Sequence, residues 1–212
     1  NIEPLVWVED SRPYEDHEDW IQHTHDVLAD LHLSDKNVGL QYDSFFLTSR
    51  DEKALTAALS FATFLDGSML VEEGRMIKSP QEIEYIRQAS KTAEAGLRAG
   101  IEACSVGVTE NDVAAEIHRA QIKAGSEYTG LPIFIRTGAR DSMTHSTWYR
   151  NRLEDGDSIT IEMPGCINRY HAATYRQIFL GDPPDVLLKA REIGAEVMRQ
   201  AKDAIKPGVP AG

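Results

Sequence analysis

Residues 158–177 read SITIEMPGCINRYHAATYRQ, two runs of alternating side chains with Asn168-Arg169 between them. In an extended chain successive side chains point to opposite faces. The first run therefore sends Thr160 and Glu162 to one face, and Ile159, Ile161 and Met163 to the other. Pro164-Gly165 is expected to end that strand, and residues 170–180 to return through a hairpin or a wider connection around Asn168 and Arg169. On the return strand His171 shares a face with Ala173 and Tyr175, while Tyr170, Ala172, Thr174 and Arg176 take the other. Upstream, Ile133, Ile135 and Thr137 alternate with Phe134 and Arg136, which adds a strand.

Helices flank these strands. Ser79-Pro80-Gln81-Glu82 combines a capping serine, a proline at the first helical position and a glutamate at the third. Ile83, Ile86, Ala89 or Ser90, Ala93, Leu97 and Ile101 follow at helical spacing. Gly107-Val108-Thr109-Glu110-Asn111-Asp112 repeats the start signal for a helix ending before Gly125, and the short loop between the two implies antiparallel packing. Asp182-Pro183-Pro184 opens a third, with an apolar stripe through Val186 or Leu187, Ala190, Ile193, Val197 or Met198, Ala201 and Ile205. The order is α, α, β, β, β, α, an α+β arrangement.

The preceding stretch alternates differently. A helix is expected over residues 17–32, a strand at Val38-Gly39-Leu40, a helix opened by Ser49-Arg50-Asp51-Glu52 and running through Leu59, and a strand at Met69-Leu70-Val71. This divides the chain into 1–74, the C-terminal part of an N-terminal α/β scaffold domain, and 75–212, an α+β domain. The start without Met and the helix-ending phrase Lys206-Pro207-Gly208 suggest a piece of a longer protein.

With 34 acidic against 22 basic residues the formal net charge is −12, and a phosphate backbone would be repelled; no nucleic-acid partner is expected. No apolar run reaches the ~20 residues of a membrane span, and no basic, apolar leader opens the chain, so a cytoplasmic setting without membrane contact is expected. Cys104 and Cys166 lack metal or disulfide spacing and read as reduced thiols, Cys104 packed at a helix end.

Two side chains stand out chemically. Glu162 lies mid-strand among isoleucines, where a carboxylate is depleted unless its face is solvated or functional. His145 sits in the polar turn Thr144-His145-Ser146-Thr147-Trp148, able to pass protons near neutrality. Arg176 suits either a substrate carboxylate or a structural ion pair, the ion pair being the commoner use. His17, His23, His25 and His32 read as a solvated helix face, since no Cys or Asp completes a metal site with them.

From about Arg75 onward the phrases Arg75-Met76-Ile77-Lys78-Ser79-Pro80-Gln81-Glu82-Ile83, Gly107-Val108-Thr109-Glu110, His145-Ser146, Gly156-Asp157-Ser158 and Tyr170 to Arg176 resemble the creatinase and aminopeptidase P group, which implies that 75–212 is the first half of a pita-bread catalytic domain, incomplete at its C-terminus. In metallopeptidases of that group two aspartates on paired strands hold a dinuclear metal centre. Aligned on Arg176, those positions are Glu162 and Ala173, and an alanine cannot ligate a cation. This departure from the group's pattern argues against an Xaa-Pro peptidase, and no metal or other cofactor is expected.

Among metal-free members, the segment from Glu162 to Cys166 and from Arg169 to Ala173 is most similar to the ectoine hydrolases; creatinase-like members do not keep the acid at the first position. What this implies is a metal-independent hydrolase that opens the cyclic amidine of ectoine or hydroxyectoine to an N-acetylated diaminobutyrate. Glu162 would act as nucleophile or as base, His145 would protonate the departing nitrogen, and Trp148, Tyr170 and His171 would shape the pocket. The group also implies a homodimer. A creatinase-like amidinohydrolase, a divergent peptidase and a non-catalytic binding protein on the same scaffold remain as alternatives.

Overall fold

The computed structural model describes residues 9–210, in two compact units that meet in sequence at Ile77/Lys78. The first unit contains α1 (Trp20–Asp30), β1 (Asn37–Leu40), α2 (Ser49–Ala58), β2 (Thr63–Asp66) and α3 (Leu70–Met76). Strands β1 and β2 pair in parallel from Asn37↔Thr63 to Leu40↔Asp66, joined through α2 as a parallel pair requires. Leu40, Leu55 and Leu59 form the buried centre. Two expectations are corrected here. Met69-Leu70-Val71 is not a strand: Met69 takes a left-handed φ of 65° and α3 begins at Leu70. Three apolar residues are too short a window to separate a period of two from 3.6, and the partner of β1 lies earlier. The cap of α2 is Thr48 rather than Ser49, its hydroxyl accepting the Asp51 N–H at 3.2 Å.

The second unit comprises α4 (Pro80–Ala103), α5 (Glu110–Lys123), β3 (Phe134–Thr137), β4 (Ser158–Ile167), β5 (Tyr170–Phe179) and α6 (Asp185–Ala204). The strands form an antiparallel sheet of order β3-β4-β5. Capping boxes at Ser79/Glu82 and Thr109/Asp112 start α4 and α5. Cys104 closes α4 and packs partly against the core. Burial pushes its thiol up to about 11, so it stays protonated at neutral pH.

Strand β4 runs past Pro164 and Gly165 to Ile167, against the expected stop. The paired stretch of β3 ends at Phe134↔Glu162, so at Pro164 one flank of β4 is already unpaired. The Pro164 carbonyl accepts from Gln121 Nε2 at 2.6 Å on that flank, and the missing N–H costs no ladder bond. The β4–β5 hairpin then turns in two residues, Asn168 (φ 47°) and Arg169 (φ 64°), as a primed turn requires. Glu127 holds this tip, accepting the N–H groups of Asn168 at 2.6 Å and Arg169 at 3.3 Å.

Helices α4 and α5 cover the face carrying Ile135, Ile159, Ile161 and Met163, which join Leu97, Val113 and Ile117 in one core. The buried seam of α4 is Ala89, Thr92, Ala93, Gly96, Leu97 and Gly100, whereas Ile83 and Ile101 stay partly exposed at its margins. Small residues let the helix backbone approach the sheet. A Cβ on Gly165 would stand 2.2 Å from the Ala89 carbonyl oxygen and 2.7 Å from the Ala93 nitrogen. The apolar stripe of α6 forms as its periodicity predicts, yet Val186, Ile193, Val197, Met198 and Ile205 are all exposed. No helix among the described residues is long and apolar enough to cross a membrane.

Gly165→Ala is expected to lower unfolding free energy by about 3 kcal/mol or more, the upper end of overpacking penalties, because the clash is with helix backbone. Gly194→Ala, on exposed α6 with nothing within 4 Å of the new methyl, should instead gain about 0.5–1 kcal/mol. Urea denaturation of both variants decides; equal midpoints would contradict the close approach.

The capping carboxylate of Glu82 is held down at about 2 from an ordinary 4.5, chiefly by the Ser79 N–H and then by the Tyr170 hydroxyl. A depressed carboxylate stabilises the fold fully above pH 4.5, and its contribution drains away as pH falls towards 2. Tyr170→Phe should raise the Glu82 midpoint, read by carbon NMR of the labelled carboxyl; an unmoved midpoint would contradict the contact.

Candidate active site

The other face of the sheet is the one that carries chemistry. Register sets two rungs across it: Phe134–Glu162–Tyr175, and beside it Arg136–Thr160–Gln177. Glu162 is half-buried at the centre of the first rung. Among the described residues its carboxylate takes part in no ion pair and no hydrogen bond. The phenol of Tyr175, about half exposed, reaches back to Thr160 Oγ1 at 3.4 Å.

His145 comes to the same place from a loop. Its ring lies 5.3 Å from that of Phe134, centroid to centroid, and Phe134 also makes a backbone bridge to Thr147. Glu162 and His145 thus share Phe134 as neighbour, one through strand pairing and the other through ring contact. The His145 backbone is left-handed at φ 53°, a conformation that non-glycine residues hold only when their surroundings impose it.

What imposes it is Glu110, the first residue of α5 and fully buried. Its carboxylate accepts from Thr137 Oγ1 at 2.6 Å, from Arg140 Nη1 at 2.9 and 2.8 Å, and from the Tyr149 N–H. Arg140 Nη2 reaches on to Ser146 Oγ at 2.6 Å and the Thr147 carbonyl at 2.7 Å. The residues on both sides of His145 are thereby tied to one helix start, where the dipole also favours a negative charge. Glu110 was visible in sequence only as part of a helix-opening phrase; nothing local marks a carboxylate as buried.

The remaining expected site residues divide. His171 lies on the Glu162 face, its Nε2 accepting the Gly130 N–H at 3.0 Å near the hairpin end. Trp148 is half-buried against the core and meets His118 of α5 edge-on at 5.8 Å. Tyr170 is on the opposite face, its hydroxyl donating to Glu82 Oε1 at 2.8 Å, so it ties α4 to the sheet and is not brought together with Glu162. Arg176 also falls on that opposite face, opposite Ile161 in register. The ion pair expected for it is not formed: its Nη1 donates to the neighbouring Tyr175 carbonyl at 2.7 Å, and no carboxylate among the described residues is within ion-pair distance. An exposed position on β5 leaves it in water.

Ala173 pairs with Pro164 and so lies one diagonal step from Glu162 on the same face, about 7–8 Å on an antiparallel ladder. The two positions keep the relation that a pair of metal-binding carboxylates would need. The atoms do not, because a methyl offers no donor. Among the described residues no three His, Cys, Asp or Glu side chains gather as a metal site. Of these two strand positions, only Glu162 carries a donor atom.

The model of metallopeptidase family M24 matches residues 84–212. The chain belongs to this family. An uncharacterized hydrolase/peptidase of Sinorhizobium fredii is 33% identical over 178 residues, covering 82% of this chain and 45% of that protein. The ectoine hydrolase of Halomonas elongata is 31% identical over 201 residues, covering 88% and 50%. The crystal structure of an X-Pro aminopeptidase from Thermotoga maritima superposes with a TM-score of 0.77 at 24% identity, over 92% of this chain and 54% of that one. The expected pita-bread fold is thus the fold observed over the part covered. The chain spans about half the length of the curated relatives it matches.

Glu110→Gln removes the charge that balances Arg140. It should cost about 3–5 kcal/mol of stability, as breaking a buried ion pair does, and should speed amide exchange over residues 138–149 relative to α4. Urea denaturation with hydrogen-exchange mass spectrometry tests this; unchanged exchange in the loop would mean that another contact holds it.

Proposed function

We propose that the full-length protein is a metal-independent hydrolase that opens the amidine ring of ectoine to N-acetyl-diaminobutyrate, and that it works as a homodimer on this small-molecule substrate. One observation carries the proposal: an unpartnered, half-buried carboxylate, Glu162, set between the aromatic register partners Phe134 and Tyr175. A cyclic amidinium is planar and positively charged at the carbon to be attacked. It is drawn to a carboxylate and to aromatic faces together. The similarity to the ectoine hydrolase of Halomonas elongata supports the same substrate class.

The chemistry follows from the atoms at hand. Either a Glu162 oxygen bonds to the amidine carbon, or Glu162 takes a proton from a water whose oxygen bonds there. In both cases the C=N electron pair moves onto nitrogen. His145, the ring neighbour of Phe134, delivers a proton to the departing ring nitrogen as its bond to carbon breaks. In the first version water then adds to the resulting imidate carbon and its bond to Glu162 breaks, which leaves the acetamide on the retained nitrogen. Half-burial between aromatic rings strengthens the charge attraction that must stand in for a Lewis acid.

A second reading, an Xaa-Pro peptidase, is favoured by the family's name and by the X-Pro aminopeptidase fold neighbour. Ala173 weighs against it. Mass spectrometry of the full-length enzyme incubated with ectoine should show the ring-opened product at a rate unaffected by chelator. Glu162→Gln should lower turnover at least a hundredfold, the scale on which acid–base residues act. Wild-type turnover in a folded Glu162→Gln protein would end both versions of the mechanism. Cleavage of Xaa-Pro dipeptides that chelator abolishes and manganese restores would replace the proposal with the peptidase.

A further inference from the structure

Arg136 occupies the second rung of the Glu162 face, paired with Thr160 on β4 and, beyond it, Gln177 on β5. Its side chain is only 5% exposed. Nη1 donates to the Met143 carbonyl at 2.7 Å, and the guanidinium carbon lies 6.0 Å from the centre of the Tyr175 ring. Its Nε has no hydrogen-bond partner. No carboxylate among the described residues pairs with it. Asp141, which follows it by five positions, bonds instead through Oδ2 to Ser158 Oγ at 2.5 Å and Gln177 Nε2 at 3.0 Å, with Oδ1 buried and unpartnered. A guanidinium withdrawn from water with an unused donor and no counter-ion is costly unless an anion completes it.

We infer that Arg136 anchors the carboxylate of the substrate, holding a zwitterionic ring across the face with its cationic end at Glu162. The register supports the span: Arg136 faces Thr160, two residues from Glu162 on the neighbouring strand. Such diagonal neighbours are about 7–8 Å apart, within reach of a small ring that carries an amidinium on one side and a carboxylate on the other. Guanidinium forks match carboxylates in geometry and charge. The sequence offered Arg176 for this task, but that residue lies on the core face of the sheet, opposite Ile161. The Tyr175 ring, beside both charged groups, lines the path between them. The substrate named here rests on the ring-opening proposal above; the assignment of Arg136 as an anion site can be tested apart from it.

The test compares full-length wild type, Arg136→Met and Arg136→Lys on ectoine and on its carboxamide, which lacks the negative charge. Arg136→Met should raise KM for ectoine about 10- to 100-fold, the worth of a charge-assisted hydrogen bond, with kcat nearly kept. Wild type should discriminate against the carboxamide by a similar factor and Arg136→Met should not. Equal discrimination by both proteins, or an unchanged KM, would overturn the assignment. Should Arg136→Met fail to fold, Arg136→Lys decides, since it keeps the charge and loses the fork. A rise in KM confined to the carboxylate substrate supports the anchor, and an equal rise for both substrates overturns it. If wild type does not turn over ectoine, the ring-opening proposal fails by itself. The anchor is then judged from KM for glycyl-proline and its amide with the same three proteins, by the same criterion.

Discussion

A carboxylate removed from water at the start of α5 organises the loop that brings His145 to the sheet. Glu110 has no solvent exposure, and its charge is balanced by Arg140 and solvated by the Thr137 hydroxyl and the Tyr149 N–H. An ion buried this way tolerates little displacement, because any donor that leaves exposes an uncompensated charge in a low-dielectric setting. The left-handed backbone of His145 is sustained by the same rigidity, with Ser146 and Thr147 pinned by the second arm of Arg140. Strain at a candidate proton donor thus rests on an ion pair one turn of chain away.

The sheet divides its labour between two faces. One is pressed onto α4 over alanines and glycines so closely that Gly165 admits no side chain. The other bears Glu162, Thr160, Arg136 and Tyr175. Rigidity on the packed side therefore fixes the spacing of groups on the open side. That coupling matters because the position and the charge of Glu162 both depend on how firmly β4 is held.

Period and punctuation made much of this legible in advance. Alternation grouped Thr160 with Glu162 on β4 and His171 with Ala173 and Tyr175 on β5, and the register puts the two groups on one face. The capping phrases at Ser79 and Thr109 start their helices where expected. The misses share one cause, dependence on partners distant in sequence. Pro164 continues β4 because β3 has already ended beside it. Met69-Leu70-Val71 belongs to a helix start because β1 is already paired to β2. Arg176, allotted an ion pair, meets only a neighbouring carbonyl because no acid is packed beside it.

The amino-acid sequence by itself determined most elements of the second unit and the strand-face neighbours of Glu162, which follow from local spacing, and its motifs carried the family. Only the tertiary structure decided that Glu110 is buried, that Arg136 rather than Arg176 shares the Glu162 face, and that Tyr170 serves α4. Those outcomes turn on contacts reaching 27 to 39 residues from Glu110 and 88 residues from Glu82 to Tyr170. Whether a charge is hidden or free is a property of what folds over it, and no local window of sequence contains that information.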